Sequence, residues 1–382
     1  MPPLSRKGDL TEMSPPPTLR IATIPGDGIG PEVLTVGRAV VDAVAETSSE
    51  FSVDWTELPW GCGYYEQTGR MMPEDGLAVL REFDAIYFGA VGWPTVPDST
   101  SLWGLRLAIC QGLDLWANIR PVTFLPGVSG PLRDSESRRL SWVMVRENSE
   151  GEYSGIGGRN LAARGRGGEV AIETALFTEA GCERIIRYAF ELALRHPVRR
   201  LTSVTKSNAQ RYGMVLWDEV FARVAEAYPQ VQTDSCLVDA MAARMVLRPE
   251  SLSVAVASNL YADILSDLGS ALSGSLGLGA SANLDPAGQA PCMFEPVHGS
   301  APDIAGQGIA NPIGAVMSAA LMLEHLGFAN AAAEIERAVL ATTASGALSP
   351  DLGGENSTVE IGNALVEAMQ TGGIPMEIGP AT

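Results

Sequence analysis

The stretch LRIATIPGDGIGPEVLTVGRAVVDAV, residues 19–44, reads as a strand, a glycine turn and a helix, and its central GDGIGPE decides which α/β fold follows. A glycine turn between strand and helix invites a Rossmann reading, in which glycines bring the backbone close to a pyrophosphate at the helix N-terminus. The spacing here is Gly26-x-Gly28-x-Gly30 rather than GxGxxG, and Pro31 and Glu32 open the helix. A turn that requires glycine for positive φ accounts for the same residues. Read locally, the stretch leaves both possibilities open.

Outward from it, strand patterns at 51–58, 83–92, 116–124, 139–148, 199–206, 231–238 and 252–259 alternate with helical patterns at 100–115, 178–196, 217–229, 239–247 and from 258 onward. Such alternation predicts an α/β protein with parallel-type sheets. Residues 150–178 are glycine-rich and end in β-prone alternation, which predicts an excursion or arm. Two or three Ala-rich helices close the chain.

The 382 residues, 46% of them hydrophobic, are enough for two or three structural units around a large core. No run of 18 apolar residues predicts a membrane span. Residues 1–18 hold three consecutive prolines and no apolar signal core, so they read as a disordered tail on a cytoplasmic protein. Five scattered cysteines without a CxxC pair read as free thiols in a reducing compartment. A net charge of −19 argues against nucleic-acid or anionic-membrane partners. It also means that an anionic substrate would need a local cluster of arginines.

SNLYADILSD, residues 258–267, sets Asp263 and Asp267 four positions apart in an apolar run, on one face of a helix. Desolvation and mutual repulsion both act against such a pair. A divalent cation would remove both costs, and oxygen-only ligands favour Mg²⁺ or Mn²⁺ over Zn²⁺. A helix whose polar face carries both aspartates with Ser266 is the alternative. Arg120 and Arg146 read as strand-end residues, where α/β sheets place ligands, and their forked guanidiniums suit carboxylates. Tyr153 and Lys206 are candidate acid and base groups if they stand near a metal and arginines. EPVHGSAPDIAGQGIANP, residues 295–312, is a loop able to offer backbone N–H groups and a flat ring to a nucleotide; Asp303 would hydrogen-bond a ribose diol and repel a 2′-phosphate.

GDGIGPE, NIRP, VRENSEGEYSG, ASNLYADILSDL and FEPVHGSAPDIAGQGIANP together resemble, in order, the signatures of the β-decarboxylating dehydrogenases, from about residue 19 to 370. That family includes isocitrate, isopropylmalate, homoisocitrate, D-malate and tartrate dehydrogenases. VRENSEGEYSGIGGR, LPGVSGPL and LTSVTKSN are most similar to its tartrate and D-malate branch. The resemblance implies an isopropylmalate dehydrogenase-like two-domain α/β fold distinct from Rossmann. Residues 19–115 with 274–382 would form the cofactor-side domain. Residues 116–273 would form a dimerisation and metal domain whose arm, about 150–178, clasps a second copy.

It further implies oxidation, usually with decarboxylation, of a malate- or tartrate-like 2-hydroxy acid by NAD with Mg²⁺ or Mn²⁺, in a homodimer with shared sites. Asp263 and Asp267 would hold the metal together with Asp239 of the partner subunit. Lys206, again from the partner, would take the hydroxyl proton, and Tyr153 would protonate the enol carbon. Arg120 and Arg146 would clamp the departing carboxylate, with Asn208 near the nicotinamide. Glu295, His298, Gly299, Ser300, Ala301, Asp303 and Asn311 would contact the cofactor, and aspartate at 303 is the NAD pattern.

One position departs from the family. Its third clamp arginine, ten residues before the NIRP arginine, is Cys110 here, and the nearest arginine is Arg106, one helical turn earlier on the same face. Either Arg106 replaces the lost clamp, or it meets a different group on the substrate's C3, and the loss of a charge-assisted pair favours the latter. A non-catalytic regulatory subunit of the same family is the alternative function, opposed by the retention of Asp239, Asp263, Asp267, Lys206 and Tyr153.

Overall fold

The computed structural model describes residues 16–133, 139–161, 163 and 165–371, so most of the expected tail lies outside the described residues. Its strands are β1 (Thr18–Gly26), β2 (Ser52–Glu57), β3 (Ala85–Ala90), β4 (Ala117–Thr123), β5 (Ser141–Glu147), β6 (Gly151–Asn160), β7 (Val170–Leu176), β8 (Arg200–Thr205), β9 (Gln232–Leu237), β10 (Val254–Ala257), β11 (Ala280–Leu284) and β12 (Cys292–Pro296). Ten of them form one sheet in the order β2-β1-β3-β12-β11-β4-β5-β10-β8-β9. Two four-stranded parallel blocks, β2-β1-β3-β12 and β5-β10-β8-β9, are joined by β11 and β4, which are antiparallel to each neighbour. The domain boundary expected at 115/116 and 273/274 falls inside this continuous sheet, between β11 and β4.

The central strand β3 is buried at every position, as a parallel strand covered on both faces should be. One cover is the helix Gly30–Ser48, which buries Val33, Gly37, Val40, Val41 and Val44 at helical spacing. Gly37 is required by close approach, because a Cβ there would stand 1.8 Å from the Tyr87 hydroxyl.

The GDGIGPE turn is a packing joint. Gly26 and Gly28 both have positive φ, 68° and 60°, and a Cβ on Gly28 would lie 1.9 Å from the Ser300 carbonyl oxygen. That same oxygen accepts a hydrogen bond from Ile29 N at 2.9 Å. Glu32, in the first turn of the helix, accepts from Gly306 N at 2.5 Å. Glycine is needed here so that the first strand's turn can dock onto the 295–312 loop.

Residues 100–115, read as one helix, form two: Asp98–Gly104 and Arg106–Gly112, separated at Leu105 by a non-helical backbone (φ −127°, ψ −78°). Within the expected arm, β6 and β7 pair antiparallel as a separate two-stranded sheet that exposes Ile156, Val170, Ile172 and Leu176.

Candidate active site

The register of the sheet assembles the site. Directly opposed residues of antiparallel strands share a face, as do residues two apart on one strand. Asn118 on β4 opposes Arg146 on β5 and Asn283 on β11, and Ser281 opposes Glu295 on β12. Arg120, Asn118, Arg146, Asn283 and Glu295 therefore project from one face. Arg120 is the fourth residue of the seven in β4 rather than at a strand end; Arg146 is penultimate in β5. The site sits at the antiparallel seam of the sheet, where β4, β5, β11 and β12 bring these side chains together from distant parts of the sequence.

The helix Asn259–Ser273 crosses this face. Arg146 donates through Nε and Nη2 to Asn259 Oδ1, at 3.0 and 2.6 Å, and pairs through Nη1 with Asp263. Arg120 lies 3.1 Å from Asp263 and 3.9 Å from Asp267, and donates to Ser266 Oγ at 2.7 Å and Asn118 Oδ1 at 2.8 Å. The Tyr153 hydroxyl donates to Asp263 Oδ2 at 3.2 Å, and its ring lies 5.4 Å from the Arg146 guanidinium carbon. Two guanidiniums are thus the compensation that Asp263 has within one protomer. The two aspartate side chains are also more open than their apolar surroundings suggest, 33% and 54% exposed, because the helix turns Asp263, Ile264 and Asp267 outward.

The electrostatics follow. Burial pushes the Asp263 carboxyl up, but Arg146 and Arg120 outweigh it and hold it at about 2. Burial raises Asp267, with Arg120 opposing. Arg146 is lowered to about 10 by burial and by Arg120 beside it. Burial and the Asp263 charge raise Tyr153, so its phenol keeps its proton at neutral pH.

Arg106 is buried against Glu295. Its Nε donates to both carboxylate oxygens at 2.9 and 3.2 Å, and its Nη2 stands 2.7 Å from Oε1. Cys110 is fully buried, its thiol pushed up to about 11 by desolvation. Gln111 holds the Tyr153 backbone carbonyl at 3.1 Å.

A cavity of about 150 Å³ gathers Arg106, Arg120, Arg146, Tyr153, Asp263 and Glu295, and beside them His298 and Gly299. His298 Nε2 is buried with no hydrogen-bond partner among the described residues, and a Cβ on Gly299 would meet only open space. An orphaned ring nitrogen beside an open glycine fits a loop that receives a ligand. Ser300 is turned to the GDGIGPE joint, Ala301 holds a left-handed φ of 40°, Asp303 is exposed, and Asn311 is tied to Asp351 at 3.1 Å.

Lys206, Asn208 and Asp239 stand apart from this cavity. Lys206 follows β8 and Asp239 opens the helix after the neighbouring β9, and the two pair at 2.5 Å with Asp239 largely exposed. Asn208 is exposed in the turn after Lys206. Among the described residues no three His, Cys, Asp or Glu side chains gather as a metal site within one protomer. Asp263 and Asp267 nonetheless fit a hard cation, being accessible carboxylates one helical turn apart.

The amide network was not anticipated from sequence. Asn118 Nδ2 donates to Asn283 Oδ1 at 2.9 Å, Asn148 Nδ2 to the same oxygen at 3.0 Å, and Asn283 Nδ2 to Glu295 Oε1 at 2.8 Å. Alternation with Arg120 could have flagged Asn118, and i, i+4 spacing to Asp263 could have flagged Asn259; nothing local marks Asn283.

Residues 20–365 match the family described as isocitrate/isopropylmalate dehydrogenase. A probable tartrate dehydrogenase/decarboxylase of Agrobacterium vitis is 55% identical over 350 residues, covering 92% of this chain and 97% of that protein. The D-malate dehydrogenase [decarboxylating] of Escherichia coli (strain K12) is 47% identical over 355 residues, covering 91% and 98%. The crystal structure of isocitrate dehydrogenase from Methylococcus capsulatus superposes with a TM-score of 0.84 at 35% identity, covering 92% of this chain and 99% of that one.

Proposed function

We propose, for a chain that belongs to the isocitrate/isopropylmalate dehydrogenase family, the NAD- and divalent-metal-dependent oxidative decarboxylation of a malate- or tartrate-like 2-hydroxy acid. The observation that carries this reading is the convergence of Arg120, Arg146, Tyr153 and Asp263 on one cavity beside His298 and Gly299. In it, Arg120 and Arg146 hold the carboxylate on C3 by their charge and their remaining N–H groups, while Asn118 and Asn259 fix the Nε side of each guanidinium. Lys206 of the partner subunit takes the C2 hydroxyl proton. Bound NAD would supply the hydride acceptor for C2, and a divalent cation held by Asp263 and Asp267, with Asp239 of the partner subunit, would supply Lewis acidity at the C2 oxygen. The C3–carboxylate bond breaks with release of CO₂, and Tyr153, whose proton is held at neutral pH, donates it to C3. Asp303, exposed on the loop, would accept from a ribose diol and oppose a 2′-phosphate.

Homodimerisation, with the cofactor-side and dimerisation units divided as expected, belongs to the same proposal. Its support is apolar exposure: Ile264 beside the two aspartates, Val246 and Leu247 on the helix that begins near Asp239, and Ile172 on the hairpin. No helix among the described residues is long and apolar enough to cross a membrane, and a cytoplasmic location is part of the reading.

The test is NADH formation by purified protein with Mn²⁺, NAD and a panel of D-malate, tartrates and isopropylmalate. Turnover of D-malate or a tartrate, lost in Lys206→Ala and Tyr153→Phe and on chelation, is the expected result. Failure to reduce NAD with any of them would overturn the proposal.

A further inference from the structure

The edge of the sheet opposite β9 carries another cleft, of about 500 Å³, within the range of about 300–1,000 Å³ of small-molecule sites. The helix Gly30–Ser48 gives it Pro31, Leu34, Thr35 and Arg38, a spacing that lays them on one face. The helix Cys62–Thr68 gives it Tyr64 and Gln67 from the other side, and Pro59 and Trp60 close the end beyond β2. Its floor is β1, where Thr23 pairs in register with Glu57 of β2. The Thr23 hydroxyl is buried with no hydrogen-bond partner among the described residues, so the floor carries a polar atom that the protein leaves unanswered. Across the mouth, Arg38 Nη1 donates to Glu57 Oε2 at 3.2 Å, with the guanidinium carbon 5.5 Å from the Trp55 ring centre. The two side chains stay 33% and 58% exposed, and that bond leaves the rest of the Arg38 fork and Oε1 of Glu57 for a ligand.

We infer that this cleft is a regulatory site for a zwitterionic amino acid with an apolar side chain, separate from the cavity of Arg120 and Arg146 and acting on cofactor affinity. A ligand of either single charge meets one attractive and one repulsive group in the Arg38–Glu57 pair. A zwitterion meets two attractive ones, its ammonium at Glu57 and its carboxylate at Arg38. Leu34, Trp60, Tyr64 and three prolines form the apolar wall against which an aromatic or branched side chain loses its water. The route to the cofactor loop is short, because both walls meet at Asp27 in the GDGIGPE turn. Its carboxylate accepts from Cys62 N, at the start of the second wall, and from Gly92 N, each at 2.8 Å. The next residue is Gly28, packed on the Ser300 carbonyl, and then Ile29, whose N–H donates to that oxygen. A ligand that bridges the two helices therefore steadies the joint on which the 295–312 loop rests, and a cofactor binding that loop has less to order. The coupling is positive. This link to the cofactor rests on the dehydrogenase reading, whereas the recognition of a zwitterion does not.

The experiment is calorimetric titration of the full chain with L-phenylalanine, with 3-phenylpropionate and phenethylamine as its single-charge analogues and glycine as the analogue without the ring. Phenylalanine is expected to bind with a Kd of about 1 mM or tighter, and each of the other three at least about tenfold more weakly. Glu57→Gln should weaken phenylalanine and improve 3-phenylpropionate, and Arg38→Gln should weaken phenylalanine and improve phenethylamine. Both side chains are partly exposed and their pair adds little to folding, so the variants test recognition rather than stability. NAD titrated in saturating phenylalanine should bind at least about fivefold more tightly, a gain that Glu57→Gln abolishes. No binding of phenylalanine, equal binding of the analogues, a preference unmoved by either substitution, or an NAD affinity unmoved by phenylalanine overturns the inference. Phenylalanine bound with the stated preference by a chain that binds no NAD would sink only the dehydrogenase reading.

Discussion

Asp263→Asn isolates the electrostatic core of the site. In the native protomer this carboxylate is shared by Arg146 and Arg120, whose side chains are 2% and 6% exposed. Its pKa falls from 3.8 to about 2, a difference of just under two units, worth at most about 2.5 kcal/mol at 1.36 kcal/mol per unit. With the side chain one-third exposed, solvent screening reduces that to roughly 1–2 kcal/mol. Removing the charge also leaves two buried guanidiniums facing each other, and breaking a buried pair costs about 3–5 kcal/mol in full burial. Asn259, Asn118 and Ser266 remain as acceptors, so a loss of about 2–3 kcal/mol is expected. At about 2.1 cal/mol/K per residue of unfolding entropy, this lowers the melting temperature of a chain of this length by about 3 °C.

The assay is thermal unfolding in metal-free buffer, with and without malonate. A small dicarboxylate can occupy the vacated counter-ion position, so malonate should stabilise the variant more than the parent at equal ionic strength. The pH dependence has a definite sign. Because the folded pKa lies below the unfolded one, the Asp263 contribution is present above about pH 4 and is lost as pH falls through about 2. The two proteins should therefore differ by a constant amount from neutrality to about pH 4 and converge below it. A variant melting within half a degree of the parent, or equal malonate effects on both, would refute the reasoning.

Arg146→Lys removes the fork that holds Asn259 and should lower kcat/KM for the hydroxy acid by about 30-fold or more, with the KM for NAD nearly unchanged, as steady-state kinetics will read. Co-expressed Lys206→Ala and Tyr153→Phe chains, each inactive alone, should regain activity as hybrids, since a dimer with shared sites, as proposed, would then hold one intact site; a mixture with no regain would place both residues in the same protomer's site. Gly28→Ala forces a Cβ onto the Ser300 carbonyl at a positive φ, and should cost about 1–3 kcal/mol in denaturant unfolding while weakening NAD binding, because the joint it breaks carries the 295–312 loop proposed to hold that cofactor.

Much of this was legible in the sequence because it is local. Strand and helix alternation yielded the α/β class, and the spacing of Asp263 and Asp267 placed them on one helix. The break at Leu105 was not legible, since no proline interrupts residues 98–112; on either side of it Trp103 is exposed and Arg106 is buried. The partner of Arg106 was equally hidden. Glu295 read as a cofactor contact, and its ion pair depends on β11 and β12 returning to the seam beside β4, a matter of topology that no window of sequence contains. The same holds for Asn283. The compensation of Asp263 by arginines was missed for a related reason: helix and strands are more than a hundred residues apart, and only antiparallel register sets Arg120 and Arg146 under the same turn.

The span between Arg106 and Glu295 bears on how such a protein can change. Either residue altered alone strands a bare ion in the interior, so an ancestral sequence could not have exchanged one without a neutral or matching replacement at the other. Change at this wall of the cavity would then arrive as joint steps at positions far apart in the gene, and recombination that split them would yield chains that fold poorly.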